Sequence, residues 1–202
     1  MRFPEAYAAL EKEVRRLLAV SGGGHDWDHT RRVIRNAEKL LESVPGADRE
    51  KVLFGALLHD CARPEEHDSK GRVCHARRGA ELAAELMEKA ELPPEFIAAV
   101  KEIVRTHRYR DGLAPATPEG KIVFDADKLD SLGAAGLGRA FLFAGACGAR
   151  LHNTEAEALA GAPYGPEDAV ALSDKLAEKY PDAEFAVQFG GQPLYYYYIA
   201  VE

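Results

Sequence analysis

The chain has 202 residues, of which 26 are basic and 33 acidic, giving a net charge of −7, and 47% are hydrophobic against 29% charged. This composition excludes a disordered or collagen-like chain, and the acidic balance argues against binding a nucleic acid polymer or an anionic membrane surface while still allowing a small, locally positive pocket. Cys61, Cys74 and Cys147 form no CxxC pair, no secretory leader opens the chain and no apolar run reaches about 18 residues, so the expectation is a cytoplasmic protein without disulfides or a membrane span.

Apolar residues recur at helical spacing along most of the chain. Phe3, Tyr7, Leu10, Val14, Leu17 and Leu18 form a first stripe, with Pro4 suited to its opening turn, and Ser21-Gly22-Gly23-Gly24 ends it. Val33, Ala37, Leu40, Leu41 and Val44 form a second, closed by Pro45-Gly46. Asp48 can cap a third helix carrying Val52, Leu53, Ala56 and Leu57. The polar stretch 62–73 reads as loop. A fourth helix runs from about His75 to Ala90, and Pro93-Pro94 resets the chain before a fifth with Phe96, Val100, Ile103, Val104 and His107. Residues 108–118 read as loop, and a sixth helix carrying Ile122, Val123, Ala126 and Leu129 continues towards Phe143. Pro166 starts another helix that ends near Tyr180-Pro181, and Tyr195 to Val201 could be extended. No hairpin signal and no sustained period-two alternation interrupts this pattern, so the predicted fold class is all-α.

Chemistry concentrates where histidines meet apolar helices. His59-Asp60 closes the run Val52 to Leu58, and a charged pair at the inner end of such a helix is unfavourable unless a partner, such as a divalent cation, compensates it. Asp127 and Asp130 are three apart and share a helix face, as do His25, His29 and Arg32. Gly133, Gly136 and Gly138 run as GxxGxG with no preceding strand, which favours close helix packing over a nucleotide loop. VFDAD at 123–127 resembles the nucleophile motif of haloacid-dehalogenase phosphatases but lacks the strand context, and that reading is set aside.

HDWDHTRRV at 25–33, ALLHD at 56–60, HARRGAE at 75–81 and KIVFDADKLDSLGAAGLGR at 121–139 together resemble the HD-domain metal-dependent phosphohydrolases, in their small bacterial single-domain branch, over roughly residues 20–150. The resemblance implies a single HD-type helical bundle over 1–180, with an atypical tail at 181–202 packed on the same domain. It also implies a metal held by His29, His59, Asp60 and Asp127, the H…HD…D pattern of that superfamily. Of the two His-Asp pairs, His59-Asp60 is the ligand pair, because it ends an apolar helix. His25 and Asp26 are then placed beside the site or at its mouth.

A mixed nitrogen and oxygen donor set suits Mn, Fe, Co, Ni, Zn or Mg, and a bound ion lowers its water's pKa to about 7, giving hydroxide as nucleophile. Arg32, Lys128, Asp130 and Arg139 are candidates for phosphate binding or for supporting the ligands. His75 and His107 fall between the HD pair and the last Asp. They are candidates for a second metal, for phosphate contact or for the general acid, with one ion favoured over two. The expected activity is metal-dependent hydrolysis of a phosphoester or pyrophosphate bond in a small phosphorylated substrate, a nucleotide by preference. A non-catalytic nucleotide- and metal-binding HD module, or a di-iron HD oxygenase, is the alternative. His67 and His152 read as surface residues. The tyrosines at 195–198 are compatible with core cover, a homodimer patch or base stacking, and the sequence does not choose between them.

Overall fold

The chain divides into two compact units, residues 1–147 and 148–202. A computed structural model describes residues 1–19, 26–69, 72–108 and 113–146. His25, His152, the helix expected from Pro166, the 180/181 boundary and Tyr195 to Tyr198 lie outside the described residues. Among the described residues there are eight helices and no strand: α1 Pro4–Leu18, α2 Trp27–Glu42, α3 Arg49–Leu58, α4 Arg63–Asp68, α5 His75–Lys89, α6 Pro94–Thr106, α7 Pro118–Leu129 and α8 Gly133–Ala146.

Helix α3 is the axis of the first unit. Asp48 caps it by accepting from the N–H groups of Glu50 and Lys51, and its residues from Val52 to Leu58 are all buried. A helix apolar on every side must be covered on every side, and α3 packs against α1, α2, α6 and α7. Its two faces feed two cores. Phe54, Leu57 and Leu58 join Leu10, Val14 and Leu18 of α1, Ala80, Ala83 and Met87 of α5, and Phe96, Val100 and Val104 of α6. Val52 and Ala56 join Val33 and Ala37 of α2, Ile103 of α6, and Ile122, Val123 and Ala126 of α7. Edge-to-face rings, Tyr7 on Phe54 and Phe54 on Phe96 with centroids 5.1 Å apart, lock the first core.

Two expectations are corrected. The stretch 62–73 contains α4, whose Pro64 sits in the first turn where a missing N–H is harmless. The sixth predicted helix does not run on. It stops at Leu129, and the chain turns through residues 130–132 before α8 opens on Gly133 at φ +66°. A Cβ at Gly136 would collide with the Ser131 backbone, so this glycine permits the tight return that carries Arg139 back towards Asp130.

Candidate metal centre

Helix ends converge on one pocket. His29 lies in the first turn of α2, which is capped by the exposed Asp26, whose carboxylate accepts the His29 N–H at 3.0 Å. His59 is the C-cap of α3, with Asp60 next in the chain. His75 is the first residue of α5, His107 the C-cap of α6, Asp127 lies in the last turn of α7 and Asp130 is its C-cap. The C-terminal ends of α3, α6 and α7 bring partial negative charge to the pocket and the N-terminal starts of α2 and α5 partial positive charge, so a preference for a cation rests on the carboxylates. His29, His59, Asp60, His75, His107 and Asp130 are all buried.

Among the described residues, two groups of three side chains lie close enough to hold a metal ion, His29 with His59 and Asp127, and Asp60 with His75 and His107. Asp60 stands between them. Its Oδ2 is 3.5 Å from His29 Nε2 and 3.6 Å from His59 Nε2. Its Oδ1 is 3.3 Å from His75 Nε2 and 3.7 Å from His107 Nε2. Asp127 Oδ1 lies 3.4 Å from His29 Nε2 and 3.9 Å from His59 Nε2.

The tautomers decide what this pocket accepts. Each histidine has an oxygen at Nδ1: Asp130 Oδ2 at 2.7 Å for His29, the Ala56 carbonyl at 2.8 Å for His59, Glu66 Oε2 at 2.8 Å for His75 and the Val104 carbonyl at 2.6 Å for His107. These oxygens take the Nδ1 protons of His29, His59 and His107, while His75 Nδ1 lies between Glu66 Oε2 and the Arg108 guanidinium, 3.0 Å away, and each Nε2 turns inward. The Nε2 atoms face each other in pairs at 3.2 Å, His29 with His59 and His75 with His107. Facing imidazole nitrogens beside carboxylates form a donor set that fits a divalent cation, with the Nδ1 acceptors orienting the rings.

Protonation follows the same logic. Burial pushes His59, His75 and His107 down to about 4, so at neutral pH each offers a lone pair. Burial also opposes charge on His29, but hydrogen bonds with Asp127, Asp130 and Asp60 outweigh it and raise it to about 10. Three carboxylates around that imidazole call for a positive charge at the spot. Asp127 resists its own burial and is held well below the usual carboxylate range by His29, with His59 and Lys128 assisting.

The remaining expected residues surround this centre. Asp130 receives Arg32 through Nε at 2.5 Å and Arg139 through a guanidinium nitrogen at 2.7 Å. Lys128 Nζ sits 2.6 Å from Asp127 Oδ2 and 3.3 Å from the His107 carbonyl. Sequence reasoning missed Arg63, Glu66 and Arg108. Arg63 Nε donates to Asp60 Oδ1 at 3.0 Å and its NH1 to Glu66 Oε2 at 2.7 Å, while Arg108 donates to Glu66 Oε1 at 3.0 Å. The spacing of Asp60, Arg63 and Glu66 is helical, and that is the signal by which they could have been found.

The pocket thus has two comparable halves. In each, a histidine at a helix start leans on a carboxylate held by two arginines, and a histidine at a helix end leans on a backbone carbonyl.

Residues 26–132 match the family model of the HD domain, and residues 148–202 match a different one, that of the C-terminal region of fatty acid kinase A-like subunits. YpgQ of Bacillus subtilis, an uncharacterized protein, is 33% identical over 151 residues, 73% of this chain and 70% of its own length. A structure of YpgQ in complex with ADP superposes with a TM-score of 0.59 at 24% identity, covering 90% of this chain and 98% of that one. An HD-superfamily hydrolase from Bacillus thuringiensis is 30% identical with a TM-score of 0.56, covering 86% of this chain and 80% of that one. A predicted HD superfamily hydrolase from an uncultured Thermotogales bacterium is 29% identical with a TM-score of 0.57, covering 85% and 89%.

Proposed function

Because the chain belongs to the HD domain family, we propose that it is a metal-dependent phosphohydrolase that cleaves a phosphoester or pyrophosphate bond in a small phosphorylated substrate, a nucleotide by preference. One observation carries this reading: four imidazole Nε2 atoms, each set by an oxygen at Nδ1, surround the two oxygens of Asp60. His29, His59 and Asp127 with Asp60 Oδ2 would hold the principal ion, and Asp60 Oδ1 with His75 and His107 a weaker second one. When bound, such an ion supplies a nucleophilic water of lowered pKa and a Lewis acid for a phosphoryl oxygen.

The chain's own side chains supply the rest. Arg32, Arg139, Lys128, Arg63 and Arg108 bring five positive charges within hydrogen-bond reach of four carboxylates, Asp60, Glu66, Asp127 and Asp130. A ring that carries one more positive than negative charge before any ion enters suits an anionic substrate. Lys128 Nζ, with its side chain 44% exposed beside Asp127, would donate to phosphoryl oxygens. Arg32 and Arg139 would offset charge as it develops there, and Asp130 keeps both in place. The ADP complex of YpgQ, a relative of similar sequence, supports a nucleotide as substrate.

The test is release of phosphate or pyrophosphate from a nucleotide panel by metal-stripped protein refilled with Mn(II). We expect turnover that returns with the ion and falls to background in Asp60→Ala, with helical content by circular dichroism unchanged. Full turnover in Asp60→Ala defeats the assignment, and metal-dependent nucleotide binding without any release favours the non-catalytic module.

A further inference from the structure

We propose that Arg63 sets the number of ions the centre holds, by occupying the oxygen that a second ion needs. This inference rests on the metal-centre reading above and extends it to a residue which that reading uses only as a source of charge.

The two halves of the pocket differ first in where their cations sit. In the first, Asp127 Oδ1 faces His29 and His59, and the Lys128 ammonium sits on the other oxygen, Oδ2. The cation there leaves the ligand oxygen facing the imidazoles. In the second half, the oxygen facing His75 and His107 is Asp60 Oδ1, and this same atom accepts from Arg63 Nε at 3.0 Å. A guanidinium keeps its charge at every physiological pH. It competes with an ion for the lone pairs of Oδ1 and repels that ion across a few ångströms.

The half-sites also differ in carboxylate supply. The first has Asp127 and a share of Asp60. The second has its share of Asp60 alone, because Glu66 is engaged by His75 Nδ1, Arg63 and Arg108. Arg63 is one-fifth exposed and already bonded to Glu66 through NH1. It can therefore leave Asp60 while keeping one partner, and the second position becomes available when it does. The resting centre holds one ion, and Arg63 stands in for the charge of the other.

The experiment is a Mn(II) titration of the full chain by equilibrium dialysis with metal analysis, followed by electron paramagnetic resonance for an exchange-coupled Mn pair. Wild type, Arg63→Gln and Arg63→Lys are compared. In wild type the second ion should bind at least about tenfold more weakly than the first, a conservative share of the repulsion between charges about 4 Å apart near a protein surface. Arg63→Gln, which keeps hydrogen bonding and removes the charge, should tighten the second step by about tenfold or more and show the coupled signal at lower Mn(II). Arg63→Lys should follow wild type.

A second step unchanged or weakened in Arg63→Gln, with the first retained, overturns the proposal. So does a wild type that binds both ions with equal affinity, a result independent of whether any variant folds. A wild type that binds no Mn(II) at all removes the metal centre itself, and this proposal with it.

Discussion

Asp130 meets His29 from the Nδ1 side, away from the inward-facing Nε2 atoms, and from there it fixes the geometry of the first half-site. One of its oxygens takes the Nδ1–H of His29, and both accept from arginines. Burial opposes the charge on this carboxylate, but His29 and Arg32 outweigh it and hold it at about 2. Asp130→Asn keeps the shape and removes the charge that orients His29 and anchors Arg32 and Arg139. Loss of such an outer partner commonly weakens a metal by about 10–100-fold, and that loss in Mn(II) affinity is expected here, read by competition with a fluorescent chelator. Unchanged affinity would separate Asp130 from the site.

At this scale the sequence was readable where a residue type combined with its helical context. His59-Asp60 at the end of an apolar run and Asp127 three before Asp130 marked themselves, and the structure brings both beside His29. His75 and His107 stood out as histidines in the right interval, and the structure places them on the far side of Asp60. Glu66 was readable only in part: its helical spacing from Arg63 is local, but its other partners are nine residues away at His75 and 42 away at Arg108, and nothing in a polar stretch signals that pairing.

Helix α3 shows how element packing aims the site. It approaches α6 and α7 so closely at Gly55 that an added Cβ would lie 2.6 Å from Ile103 Cγ2 and 3.3 Å from Val123 Cγ2. Ile103 is β-branched and stiff about χ1, so it cannot swing clear at low cost. Gly55→Ala gains about 1 kcal/mol of helix propensity but overpacks a filled core, which typically loses about 1–3 kcal/mol. Net destabilisation of up to about 2 kcal/mol is expected, measured by urea unfolding, along with weaker Mn(II) binding because His59 and Asp60 follow one turn later. A more stable variant would mean the helices are not in contact there. The elements missed from sequence failed for local reasons. α4 was hidden because its polarity outweighed the Pro64 signal, and the α7–α8 break was hidden because glycines within an apolar run resemble packing positions as readily as a turn.

Over the whole chain, the helical pattern and the HD motifs agree on residues 26–132, and the described helices add α1 before that stretch and α8 after it. Residues 148–202 match a different family model. No helix among the described residues is long and apolar enough to cross a membrane.

The metal centre draws one ligand set from the ends of α2, α3, α5, α6 and α7, with His29 and Asp127 lying 98 residues apart along the chain. An unfolded chain cannot assemble that set, so an ion bound by the native state stabilises it by mass action. At a free Mn(II) concentration of about 100 times the dissociation constant the gain is about 2.7 kcal/mol. A thermal scan should therefore show a transition that rises with added Mn(II) and falls back with a chelator. Asp127→Asn should remove most of that response, read as the shift between the variant's own metal-free and Mn(II)-loaded transitions, because losing its contacts with His29 and Lys128 lowers the metal-free transition as well. If the parent transition ignores both Mn(II) and chelator, the five helix ends meet for a purely structural reason.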